Sequence, residues 1–186
     1  DYTDHFVEAS GDFELNSRHR VNAIAQYEDG HEDRGTGFSL GLGTAITTPD
    51  RYKSTYFGGE YMYGAATSDG LLTLKANRET LDYDRSEQAY LIRDRVKNKV
   101  GAELGYRIGS ATTAVLDVTQ TYVRYDNQTG IATRDSDETR VLLGVTWEST
   151  AATTGFAKVG YKEKDFESAT RSTFYGTDWE VGVEWQ

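Results

Sequence analysis

Lys97, Lys99, Glu103 and Arg107 stand at alternate positions of one segment, with Gly101 and Gly105 between them. Arg140 and Glu148 repeat the spacing, then Lys158, then Glu180 and Glu184. Charges of both signs at period two form ladders across neighbouring strands or line a hydrated surface. Catalysis needs a tighter constellation, and the candidates for it are thin. The chain has three histidines, His5, His19 and His31. His31-Glu32-Asp33 sets an imidazole beside two carboxylates, but one loop histidine among acids is ordinarily solvated. His19 lies too close in sequence to Ser17 to read as a designed hydrolase pair oriented by a third group. The acidic stretches DNQTG (126–130) and DSDE (135–138) offer weak Ca²⁺ contacts at most. No glycine-rich phosphate loop joins a strand to a helix, and no cysteine supplies a thiolate. The expectation is no catalytic residue, no metal, no cofactor and no enzyme.

The elements that carry these charges alternate throughout. Period-two segments fall at about 6–15, 18–28, 38–46, 54–63, 72–79, 96–108, 112–125, 140–148, 157–164 and 175–185. In a strand such a pattern separates two faces. One face carries Arg20, Glu60, Lys75, Lys97, Lys99, Glu103, Arg107, Arg140, Glu148, Lys158, Glu180 and Glu184. The other is apolar, with aromatics near strand ends: Tyr27, Tyr63, Tyr106, Trp147, Tyr161, Trp179 and Trp185. Tyr125 is a further strand-end aromatic, and Tyr56 and Tyr122 are assigned to the polar face. The segment 112–125 alternates imperfectly around Asp117, which allows a bulge or register change. Glycines crowd the charged face, as tolerated where no side chain must pack. No stretch has a convincing 3.6-residue period, and the best helical candidate is Arg85 to Arg95, as a short helical turn inside a loop.

Composition bounds the environment. The chain has 186 residues and a formal charge of −10, with a mean hydropathy of −0.65. An acidic chain lacks the basic footprint of a nucleic-acid binder. No apolar run approaches the roughly 18–20 residues of a helical span. A transmembrane strand shows lipid only every second residue, so low mean hydropathy does not exclude the membrane. Three arrangements compete: a soluble sandwich or carrier barrel with the apolar face inward, a membrane barrel with it outward, and a solenoid, for which no fixed repeat exists. Length favours the membrane barrel. Ordinary strands run about 5–6 residues, whereas a tilted membrane crossing takes about 9–11. Ten residues at roughly 3.3 Å span about 33 Å, or about 25 Å of height when tilted near 40°.

Connections support the same choice. Thr67 to Gly70, Gly109 to Ala111 and Ser149 to Thr154 are short, while those near 82–95, 126–138 and 166–172 are long and polar. Short turns at one end and long loops at the other mark outer-membrane barrels. The long segment 29–35 falls on the short-turn side, an exception to the pattern.

GYRIGSATTAVLDVTQTYVRYD (105–126) and RDSDETRVLLGVTWESTAATTGFAKVGYKEKDF (134–166) resemble the beta-barrel porin type 2 family, as do DYTDH, HEDRGTG, TTPDRY and YMYGA earlier. The resemblance spans most of the chain and rests on strand and turn patterns. It implies an all-β, antiparallel up-and-down transmembrane β-barrel in the outer membrane of Gram-negative bacteria. It further implies a porin-like conduit for exopolysaccharide export, with outer-membrane lipid, polysaccharide and export-machinery proteins as partners. The charged set above is then pore-lining and the aromatic set a lipid-facing girdle. Family members are longer, so residues 1–186 are expected as one barrel domain and a fragment of a larger barrel. A small closed ten-strand barrel is the alternative, and a structural or adhesive barrel with a plugged lumen is the rival function.

Overall fold

The structure is a computed structural model that describes residues 3–32, 49–65, 67–84, 92–128, 132–150 and 153–185. It contains β1 (His5–Asn16), β2 (His19–Glu32), β3 (Asp50–Tyr63), β4 (Gly70–Tyr83), β5 (Arg95–Arg107), β6 (Thr112–Tyr125), β7 (Ser136–Thr150), β8 (Thr153–Phe166) and β9 (Phe174–Trp185). The nine form one sheet in sequence order, and each neighbouring pair is antiparallel. This is an all-β up-and-down meander. Short connectors force four of the eight pairings, because a strand that turns back within a few residues can only pair with its predecessor.

Nine of the ten expected segments match these strands. The remaining one, 38–46, lies outside the described residues. The expected exception in connection length disappears. β2 pairs with β3 from His19↔Tyr63 to Glu32↔Asp50, so the connection 33–49 falls at the same end as 84–94, 126–135 and 167–173. Connections 17–18, 64–69, 108–111 and 151–152 fall at the other. In the 64–69 turn, Gly64 has φ +133°, and a Cβ there would sit 2.9 Å from the Gly70 carbonyl oxygen. The bulge or register change that the pattern of 112–125 allows is absent: β6 keeps a continuous register with both neighbours. Register shifts occur instead at Glu14/Asn16 and Glu148/Thr150, beside turns.

The sheet curls toward its charged face. A cavity of about 460 Å³ is lined by residues from every strand, from Asp12 on β1 to Glu180 on β9. Lys158 on β8 contacts Glu103 on β5, three strand spacings away, or about 14 Å in a flat sheet. Two glycines permit the bend. A Cβ on Gly144 would collide with the Ala157 carbonyl, and one on Gly160 with the Val141 carbonyl. These glycines are therefore required by close approach of β7 and β8, beyond the mere tolerance expected from sequence. Among the described residues, no ladder joins β1 to β9.

There is almost no conventional core. Among the described residues, Tyr83, Val115 and Leu142 are the buried apolar side chains. Leu143, Val159, Trp179 and Val183 are 62–69% exposed on the convex side. Water would oppose so large an apolar surface, whereas lipid would solvate it. This excludes the soluble-carrier arrangement, in which that face would be packed inside.

Candidate functional site

Cross-strand partners share a face, so the register assigns each side chain to one. Glu60↔Lys75↔Gly101↔Thr119↔Arg140 is one continuous row, and Glu103↔Asp117↔Leu142↔Gly160↔Asp178 the next. Followed through all eight ladders, the register puts Arg20, Glu60, Lys75, Lys97, Lys99, Glu103, Arg107, Arg140, Glu148, Lys158, Glu180 and Glu184 on the concave face. Tyr27, Tyr63, Tyr106, Trp147, Tyr161, Trp179 and Trp185 fall on the convex face. Tyr122 corrects an expectation: it pairs with Asn98 and Asp137 on the convex side. Tyr125 pairs with Arg95 and lies on the concave side, outside any outward girdle.

The apolar band on the convex face crosses the register obliquely. Its middle lies near Gly11 on β1 and near Val181 on β9. The hydrogen-bonded row from Gly11 passes through Ala23, Gly59, Ala76, Val100, Gln120, Thr139 and Glu163, and arrives at Tyr175 instead. That offset of six residues over eight ladders tilts the strands by about 30° to the band normal, near the 35–45° of barrels. Towards the long connections the convex face becomes polar, with ion pairs Arg51–Asp29 (2.9 Å), Lys53–Asp84 (2.9 Å) and Arg124–Asp137 (2.6 Å).

Two ion networks occupy the concave face of β5–β9. Lys158 binds Glu103 and lies 3.4 Å from Asp117, whose other partner is the Thr119 hydroxyl at 2.9 Å. Arg140 donates to Asp178 and Glu180, each at 2.7 Å, and Lys162 lies 3.6 Å from Asp178. Lys158 passes over Gly144 and Arg140 passes beside Gly160, so missing side chains clear both paths. Leu142, fully buried, sits between the networks. Asp117, Asp178 and Leu142 escaped the sequence-based set. The available signal was the glycine on the strand next to each long cation.

At the long-connection end, two connections close in the same way. Tyr83 N–H donates to Asp94 Oδ1 and Tyr125 N–H to Asp135 Oδ1, both at 2.8 Å. The arginine before each aspartate stacks on the same tyrosine: Arg93 over Tyr83 and Arg134 over Tyr125, each 4.2 Å from the ring centre. Burial pushes the Asp94 carboxyl above its usual range. The stacks differ in charge balance. Arg93 is neutralised by Glu32 at 2.5 Å. Arg134 donates to the Ile92 carbonyl at 3.0 Å, and among the described residues no carboxylate lies within ion-pair distance of it.

The remaining candidates have ordinary partners. His31 contacts Asp4 at 2.7 Å, and Glu32 accepts from Tyr83 and Arg93. His19 contacts the Tyr61 hydroxyl at 2.6 Å rather than Ser17. Asp135 and Asp137 serve Gln128 and Arg124. Asp33 lies outside the described residues. Among the described residues, no group of three or more histidines and carboxylates is arranged to hold a metal.

A tilted antiparallel sheet, apolar on its convex side and ionic on its concave side, defines the wall of an outer-membrane β-barrel. The chain matches the family described as Putative beta-barrel porin 2 over residues 1–186, and it belongs to that family. It is an outer-membrane protein of porin-like type. No curated protein matches it. Among solved structures it is similar in fold to in-vitro folded OmpT, an outer membrane protein of Vibrio cholerae, at 14% identity with a TM-score of 0.57. The match covers 98% of this chain and 55% of OmpT, so the chain spans about half the length of that protein.

Proposed function

We propose that this chain forms part of a transmembrane conduit whose lumen is lined by the concave face, and that the conduit exports exopolysaccharide across the outer membrane. The supporting observation is the partition of side chains: ionic residues on the inside of the curl, exposed apolar residues on the outside. Arg20, Lys75, Lys97, Lys99, Glu60 and Arg107 then border the water-filled side of β2–β5. Glu103, Arg140, Glu148, Lys158, Glu180 and Glu184 border that of β5–β9. Apart from Trp179, which lies near the middle of the apolar band, the convex aromatics contact the headgroup region, where amphipathic rings are favoured.

The fold and family support passive passage rather than catalysis. The family resemblance and a hydrated face rich in hydrogen-bonding groups support this choice of cargo. Planar-bilayer recording of the full-length protein tests this, and steady open-channel steps are the expected result. A bilayer that stays silent with heat-modifiable, folded protein present would favour a structural or adhesive barrel. The two ion networks over Leu142 are the observation on the side of that second reading, because they fill part of the concavity.

A further inference from the structure

We infer that the loop-end chamber between β5 and β8 selects anionic solutes, and that carboxylate-bearing saccharides are the class it admits. The inference rests on the conduit reading above. The chamber measures about 520 Å³ and is lined by Arg95, Lys97, Lys99, Arg134, Lys164 and Arg171 against only Glu79 and Glu138. Six cations beside two carboxylates stand out in a chain of net charge −10.

The chamber differs from the rest of the concave face in its pairing. Lys158 and Arg140 are saturated by two carboxylates each. Here Lys97 reaches Glu79 only at 3.9 Å, and Glu138 stands opposite Lys164 in the register. Among the described residues, no carboxylate lies within ion-pair distance of Arg95, Lys99, Arg134 or Arg171. Unneutralised like charges repel and raise the local potential, which an entering anion relieves. Arg134 is also held in place by Tyr125 and the Ile92 carbonyl, so its donors are preordered for a carboxylate. Lys164 and Arg171 both lie 5.5 Å from the Phe166 ring, which sets an aromatic surface beside cations. A uronate ring offers a carboxylate to such donors and C–H groups to such a surface.

The test uses the full-length protein in planar bilayers under a KCl gradient, with trigalacturonate and uncharged maltotriose as probes. The expected result is a reversal potential of anion-selective sign and a block by trigalacturonate that maltotriose does not reproduce. The double variant Lys99→Glu/Lys164→Glu should need about tenfold more trigalacturonate for the same block. Arg134→Gln is the milder variant should the charge reversal prevent folding, judged by heat-modifiable migration. Cation selectivity, equal block by both sugars, or an unchanged block in the folded variants overturns the inference and leaves the conduit standing. Absence of channels from folded protein overturns the conduit reading, and this inference with it.

Discussion

Lys158 and Asp117 meet at 3.4 Å across an intervening strand, and the residue beneath that span is Gly144. The sheet's curvature, the glycine and the ion network are therefore one device. A side chain at Gly144 would press on β8 and block the lysine's path together.

Adding that side chain should be costly. Gly144→Ala and Gly160→Ala each drive a Cβ into neighbouring backbone, and overpacking of this kind destabilises by about 1–3 kcal/mol. Gly70→Ala meets nothing within 4 Å and should change stability by about 0.5 kcal/mol or less. Urea unfolding from phospholipid vesicles measures all three. Equal midpoints would refute the close approach.

The orientation of the sheet is tested by charge on the convex side. Val159 is 62% exposed there and lies mid-band between Leu143 and Trp179. Val159→Arg should cost about 2–4 kcal/mol in vesicles, the midplane value for arginine in a barrel. At a water-facing site the same change would stay within about 0.5 kcal/mol, so a neutral result would place the convex face in water.

The Lys158 network predicts coupling rather than a simple loss. Lys158→Gln leaves Glu103 and Asp117 facing each other on a half-buried surface. We expect a loss of about 1–3 kcal/mol, reduced from the fully buried case because the concavity admits water. Adding Asp117→Asn should recover part of that loss. A double-mutant cycle that sums additively would show Lys158 and Asp117 to be independent.

Asp94 predicts a pH effect at the loop end. Its carboxyl is pushed up by burial, so in the window between the ordinary aspartate value and the raised one the folded chain holds more protons than the unfolded chain. Stability from this group is therefore highest at low pH and falls as pH rises through that window. Asp94→Asn keeps an acceptor for Tyr83 N–H and removes the titration. Its unfolding free energy should lose this downward slope and match or exceed the parent's at neutral pH. An unchanged slope would assign the pH dependence to other groups.

How much could be read beforehand depends on distance along the chain. Period two is a local property, so the alternation of Val141, Leu143 and Val145 with Arg140, Leu142 and Gly144 was enough to sort side chains onto two faces. Strand lengths and connector lengths are local too, and they separated a membrane wall from a soluble sheet. Pairing across a strand is not local. The reach of Lys158 to Glu103, the burial of Leu142 between two ion networks, and the pairing of Arg93 with a carboxylate where Arg134 has none among the described residues depend on how tightly the sheet curls. That curl is set by contacts between β7 and β8 at two glycines, where backbones approach so closely that no Cβ fits. A linear pattern marks those positions only as small, and only the folded sheet distinguishes a glycine that is allowed from one that is required.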